Sequence, residues 1–148
     1  MRHCTDWNDG WSFCKCPGEA PPVSAWAGGE PVTLPHTWYE DGEYYRGNAL
    51  YQKRFRLAPE EGNCVFLRFD GVDKVCTVYL NGHEVGRHEG GYTAFAVELT
   101  GQIAPDGENL LTVLVNNETG ETVRPLSGDF ASFGGIYRKV ELVQVPAV

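Results

Sequence analysis

The residue in this chain best placed to do chemistry on a ligand is Asp129. It lies in Leu126-Ser-Gly-Asp-Phe-Ala-Ser-Phe-Gly-Gly-Ile-Tyr-Arg138, flanked by glycines and beside Phe130 and Phe133. An ionised carboxylate accepts hydrogen bonds while an aromatic face covers C–H surface, a pairing that suits a polyhydroxylated ligand. A turn-initiating Asx residue, its side chain bonded to its own backbone, is the competing reading and on the residues alone the simpler one.

Other chemistries find less. Hydrolysis of a glycosidic bond needs two carboxyl groups at a set separation. Asp41, Glu43, Glu60, Glu61, Asp70, Asp73, Asp106 and Glu108 read instead as turn residues or solvated strand faces. No G-x-S-x-G nucleophile elbow occurs, and Ser127-Gly128-Asp129 is not one. Gly90-Gly91 and Gly134-Gly135 are too short to cradle a phosphate and open no helix, so no cofactor is expected. His36, after Pro35, reads as a hydrogen-bonded structural residue. His3, His83 and His88 read as solvated. The five cysteines offer only Cys14-Lys-Cys16 as a close pair, the wrong spacing for a zinc knuckle, and no metal site is expected. Cys64 and Cys76 read as small core residues.

The elements that must position these residues are strands. Val65, Leu67 and Phe69 point one way, as do Leu111, Val113 and Val115, with Leu110, Thr112 and Leu114 opposite. Val140 and Leu142 share one face while Lys139 and Glu141 share the other. Strands are expected at 11–15, 50–57, 65–69, 75–80, 83–87, 94–99, 110–116 and 137–145. Asn81-Gly82 between two of them is a strong hairpin signal, because a type I′ turn requires φ > 0 at both central residues. Period-2 strands with one wet face imply two packed antiparallel sheets, an all-β sandwich. Residues 17–47 are Pro- and Gly-rich and read as an ordered excursion, aromatic enough to pack.

A chain of 148 residues fits a single domain with one core. Its 12 Lys+Arg against 20 Asp+Glu give −8, which argues against nucleic acid or an anionic membrane as partner. No apolar run approaches a membrane span. The first ten residues hold no apolar core of a signal peptide, so a cytoplasmic location is expected.

Seven segments occur in one order: Trp7-Asn-Asp-Gly-Trp-Ser-Phe13, Val32-Thr-Leu-Pro-His-Thr-Trp38, Leu50-Tyr-Gln-Lys-Arg-Phe55, Val78-Tyr-Leu-Asn-Gly82, Gly90-Gly-Tyr-Thr-Ala-Phe95, Asn109-Leu-Leu-Thr-Val113 and Gly134-Gly-Ile-Tyr-Arg138. Together they resemble the N-terminal sugar-binding domain of glycoside hydrolase family 2, which includes β-galactosidases, β-glucuronidases and β-mannosidases. The resemblance runs from about Trp7 to Val143. It implies a jelly-roll β-sandwich of the galactose-binding-domain type. It also implies that catalytic glutamates of a retaining enzyme lie in a later (β/α)8 barrel, beyond an immunoglobulin-like domain. Residues 1–148 then form one sugar-binding domain without a catalytic residue of its own. Its partners would be a carbohydrate and the enzyme's own barrel, with room for a homo-oligomer of the full enzyme.

In the family, the aspartate in the loop before Gly-Ile-Tyr-Arg reaches the barrel and binds sugar hydroxyls. Asp129 matches that position, so the resemblance implies a substrate-binding role for it. Arg138 also matches but reads as a structural strand arginine. Thr37 stands where an Asp before the Trp is frequent, and no role is carried onto it. Two other readings remain: a free-standing carbohydrate-binding module using Trp26, Trp38 and Tyr44 as a platform, and a pure interaction scaffold.

Overall fold

Alternation with one apolar side folds here into strands throughout. A computed structural model describes residues 2–17, 22–37, 47–90, 94–116 and 134–146. Among these residues the strands are β1 (His3–Asp6), β2 (Trp11–Cys16), β3 (Glu30–Val32), β4 (Asn48–Phe55), β5 (Asn63–Phe69), β6 (Val75–Leu80), β7 (His83–Glu89), β8 (Phe95–Glu98), β9 (Asn109–Asn116) and β10 (Val140–Pro146). They form a four-stranded sheet, β1-β10-β5-β8, and a six-stranded sheet, β3-β2-β4-β9-β6-β7. Every pairing is antiparallel. The two sheets face one another as a jelly-roll sandwich.

The inward faces are the expected ones. Val65, Leu67, Phe69, Leu111, Val113, Val115, Val140 and Leu142 are all buried, together with Trp11, Phe13, Tyr51, Cys76, Val78 and Leu80. At β7 and β8 the sheets close on each other. A Cβ on Gly86 would stand 2.2 Å from Val97 Cγ1, so only glycine lets the two strands approach this closely. One extra residue, Val85, breaks the β6–β7 register as a bulge.

The Asn81-Gly82 turn has φ of 51° and 84°, as the hairpin reading requires. Asn81 does more than turn the chain. Its Oδ1 accepts the Leu110 N–H at 2.9 Å and its Nδ2 donates to Asn109 Oδ1 at 2.9 Å. Asn109, fully buried, in turn accepts from the Ala104 N–H and donates to the Ala104 carbonyl.

Three expectations change. β1 and β3 carry no readable alternation. All four β1 residues are exposed at a sheet edge, and β3 is a three-residue edge strand holding Pro31, where a missing N–H does no harm. The last strand begins at Val140 rather than Tyr137, because Gly135 bridges to Asp73 and Ile136 turns into the core; Arg138 therefore precedes the strand. The outer face of the six-stranded sheet is not wet. Gln52 on that face is 1% exposed and binds the segment 23–27. Its Nε2 donates to the Ala25 carbonyl (2.9 Å) and to Thr112 Oγ1 (3.1 Å), and its Oε1 accepts from the Ala27 N–H (2.9 Å). Thr112 donates to the Val23 carbonyl at 2.9 Å, so this part of the Pro/Gly-rich excursion is laid across the sheet.

Candidate functional site

Strand register brings a row of chain ends together at one end of the sandwich. Cys16 pairs with Asn48, Asn48 with Asn116, Asn116 with Val75, and Val75 with Glu89. Asn116 Nδ2 donates to Asn48 Oδ1 at 2.8 Å across the β4–β9 pair. The Lys74 N–H donates to the Asn116 carbonyl at 3.1 Å, and the Gly90 N–H donates to the Lys74 carbonyl at 3.2 Å. Gly134 N–H donates to Asp73 Oδ2 at 3.1 Å, and Asp73 and Gly135 exchange backbone bonds at 3.0 and 3.3 Å. Both stems of the segment 117–133 are thus tied to the Asp73–Lys74 dipeptide. Asp129 belongs to that segment and lies outside the described residues.

The returning stem is fixed from inside the core. Tyr51 is fully buried, and its hydroxyl lies 2.6 Å from His36 Nδ1 while accepting the Ile136 N–H at 3.4 Å. With one lone pair used by Ile136, the hydroxyl proton is available to Nδ1. Burial pushes the phenol pKa up, opposed by the Ile136 bond, so the proton stays in place. The His36 N–H donates to the Ile136 carbonyl at 2.9 Å, joining residues 36 and 136 a second time. Phe13 packs on both rings, 4.6 Å from His36 and 5.0 Å from Tyr51. Gly135 fits beneath this group at φ +109°, where a Cβ would meet the Tyr51 hydroxyl at 2.6 Å and the His36 carbonyl at 2.7 Å. The arrangement fixes the stem that follows segment 117–133.

The remaining candidates divide. His36 has the structural role expected of it, and His3 and His83 are exposed. His88 is not solvated: its ring stacks on Phe95 (4.2 Å, 6°), which stacks on Phe69 (4.9 Å), and burial lowers its pKa. Cys76 is a core thiol pushed up to about 12 by burial, whereas Cys64 is half-buried on the outer face; all five cysteines are free thiols. Trp26 is 37% exposed, but the Arg54 guanidinium covers it at 3.9 Å. The other two members of the aromatic platform, Trp38 and Tyr44, lie outside the described residues. No group of three or more His, Cys, Asp or Glu among the described residues could hold a metal. Asp73, Tyr51 and Gln52 were not singled out for their structural roles by sequence reasoning. Their partners are 15 to 85 residues away, and no local pattern signals them.

A sandwich that gathers its loop stems at one end narrows the fold, and the family model for the sugar-binding domain of glycosyl hydrolases family 2 matches residues 29–146. The chain belongs to this family. A β-glucuronidase of Bacteroides fragilis is 40% identical over 119 residues, which cover 76% of this chain and 17% of the relative. A β-galactosidase of Thermoanaerobacter pseudethanolicus is 39% identical over 114 residues, 74% of this chain and 15% of the relative. The solved structure of Bacteroides uniformis β-glucuronidase 2, covalently bound to cyclophellitol-6-carboxylate aziridine, superposes with a TM-score of 0.85 at 38% identity, covering 99% of this chain and 18% of that one. The family-2 domain described here thus spans 15–17% of the length of these two curated relatives, and it corresponds to their sugar-binding domain rather than to a whole hydrolase.

Proposed function

We propose that this chain serves a retaining β-glycosidase as its sugar-binding domain, buttressing the catalytic barrel and lending Asp129 to the substrate pocket. The observation that carries the reading is the anchoring of both stems of segment 117–133 on Asp73 and Lys74, with the returning stem locked again by Tyr51 and His36. Stems anchored in this way favour reproducible placement of a carboxylate carried between them, and precise placement is what a hydroxyl-binding acceptor needs. The covalent complex of the Bacteroides uniformis relative supports the retaining mechanism, since retention, unlike inversion, uses an enzyme nucleophile that can take up such a compound covalently. Relatives named for both glucuronides and galactosides support a β-glycoside as the substrate class.

The test is Asp129→Asn in the full-length enzyme. Hydrogen bonds to a charged acceptor contribute about 1.5–3 kcal/mol, so kcat/KM should fall roughly 10- to 150-fold with the fold unchanged. Unchanged kcat/KM would favour a pure scaffold. Turnover of a nitrophenyl glycoside by the 148-residue chain alone would overturn the non-catalytic reading.

A further inference from the structure

Two thiols on β2 face the same way, and none of the roles above uses them. Cys14 and Cys16 are two residues apart on a strand, so their side chains share the outer face of the six-stranded sheet. Their sulfurs are 3.9 Å apart, and the Cys16 thiol also lies 3.6 Å from the Cys14 carbonyl oxygen. Cys14 is half-buried while Cys16 is 6% exposed, so a ligand would reach the pair past Cys14. The backbone is fixed by the ladder to β4, which pairs Cys14 with Leu50 and Cys16 with Asn48.

This geometry is poor for a disulfide and good for a bridged centre. A disulfide needs sulfurs about 2.05 Å apart and Cα atoms within about 6.8 Å, whereas residues i and i+2 of a strand are already about 6.6–6.8 Å apart. Closing the gap from 3.9 Å would pucker β2 out of its register with β4. With metal–sulfur bonds of about 2.3 Å, by contrast, sulfurs 3.9 Å apart subtend an angle of about 116° at a shared ion, between tetrahedral and trigonal, with no movement of the strand.

Two sulfur ligands alone select for softness. A four-coordinate structural zinc wants two more protein ligands, and no larger His/Cys/Asp/Glu cluster exists among the described residues. Oxygen-seeking ions find no donor in two thiols. We propose that Cys14 and Cys16 form a two-thiolate site for one soft, thiophilic d10 cation whose remaining positions solvent fills. Binding replaces two S–H bonds by two metal–sulfur bonds and releases two protons, with no change in oxidation state. Metal binds the thiolate and not the thiol, so affinity climbs with pH as the protons are displaced. The site sits where β2 exits beside Asn48, so an occupant would clamp the same end of the sheet that carries the loop stems.

Cd2+ is a suitable probe, because it binds single thiols weakly and gives a thiolate-to-metal charge-transfer band. Titration of the 148-residue chain should give one equivalent, a band in the ultraviolet, and an apparent affinity rising up to a hundredfold per pH unit between about pH 6 and 8, as two protons leave. Cys14→Ser and Cys16→Ser should each lower affinity at least a hundredfold by removing chelation, whereas Cys4→Ser and Cys64→Ser should not change it. Independently of any variant, Cd2+ should protect Cys14 and Cys16 of the wild-type chain from alkylation, read by peptide mass spectrometry. No band at millimolar Cd2+, a band that survives either single substitution at 14 or 16, or protection of Cys4 or Cys64 instead would each overturn the site.

Discussion

The two ends of the six-stranded sheet solve the same problem in opposite ways. At the Asn81-Gly82 end the β6–β7 connection is as short as a hairpin allows, and polar side chains close it: Asn81 holds Leu110 and Asn109, and Asn109 holds Ala104. At the other end β2, β4, β6, β7 and β9 run out side by side, and the chain is held by ties between stems that are distant in sequence. One end is self-contained; the other is a platform whose parts come from residues 36, 51, 73, 116 and 134–136. Binding residues belong on segments that a rigid scaffold positions, and the second end ties both stems of segment 117–133.

The sharpest way to break this contrast is a single methyl group at each end. Gly135→Ala forces a Cβ against the Tyr51 hydroxyl and the His36 carbonyl while imposing φ +109° on alanine. Overpacking at about 1–3 kcal/mol and left-handed strain at about 1–2 kcal/mol together predict a loss of about 2–5 kcal/mol in chemical denaturation. Amide exchange should rise first at Ile136, whose N–H binds Tyr51. A loss below about 1 kcal/mol would mean that the stem is not locked from the core at all. Gly82→Ala, at φ +84° in the hairpin, meets the exposed Ser24 at 2.9 Å rather than core atoms, so it should cost less, about 1–2 kcal/mol, and should leave exchange at Ile136 unchanged. If both variants loosened Ile136 equally, the two ends would be one cooperative unit and the comparison would fail.

How much of this was legible follows from the same physics. The inward faces of β5, β9 and β10 could be read directly, because a one-residue slip would expose their whole apolar set and the pattern must therefore be strict. The hairpin was legible because few residue pairs tolerate its dihedrals. What could not be read was whatever depends on distant partners. Gln52 alternates like a surface residue, and only the loop that lands on it, with bonds to Ala25 and Ala27, makes it a buried anchor. Tyr51 reads as an ordinary aromatic in a strand, yet it links His36 to Ile136 across the sandwich corner. Ordered motif resemblance supplied the family, and nothing local could have. Asp129 stood out by its place beside Phe130 and Phe133, the resemblance set it above the turn reading, and the structure supplies the stems on either side of it.

The smallest effect concerns His88, which sits one residue inside the loop end, on the inner face of β7. Its ring is pressed on Phe95, Cys76 stands opposite it in the β6 ladder, and its Nδ1 is buried without a hydrogen-bond partner among the described residues. The nearest charges on its own strand, Arg87 and Glu89, point to the other face and pair with each other at 2.9 Å. Desolvation therefore lowers its pKa below the ordinary value near 6.5. The sign follows: the unfolded chain takes up a proton at His88 before the folded chain does, so acid favours unfolding. The neutral-ring contribution is fully present above about pH 6.5 and is lost as pH falls toward the folded-state pKa. His88→Phe, which keeps the stack and cannot protonate, should flatten the decline in stability between about pH 7 and 5 relative to wild type. The other three histidines are common to both proteins, so the difference between the two pH profiles reports on residue 88. Parallel profiles would show that the β7–β8 seam admits a charged imidazole as readily as water does, and that the loop end is less sealed than the Phe69–Phe95–His88 stack makes it.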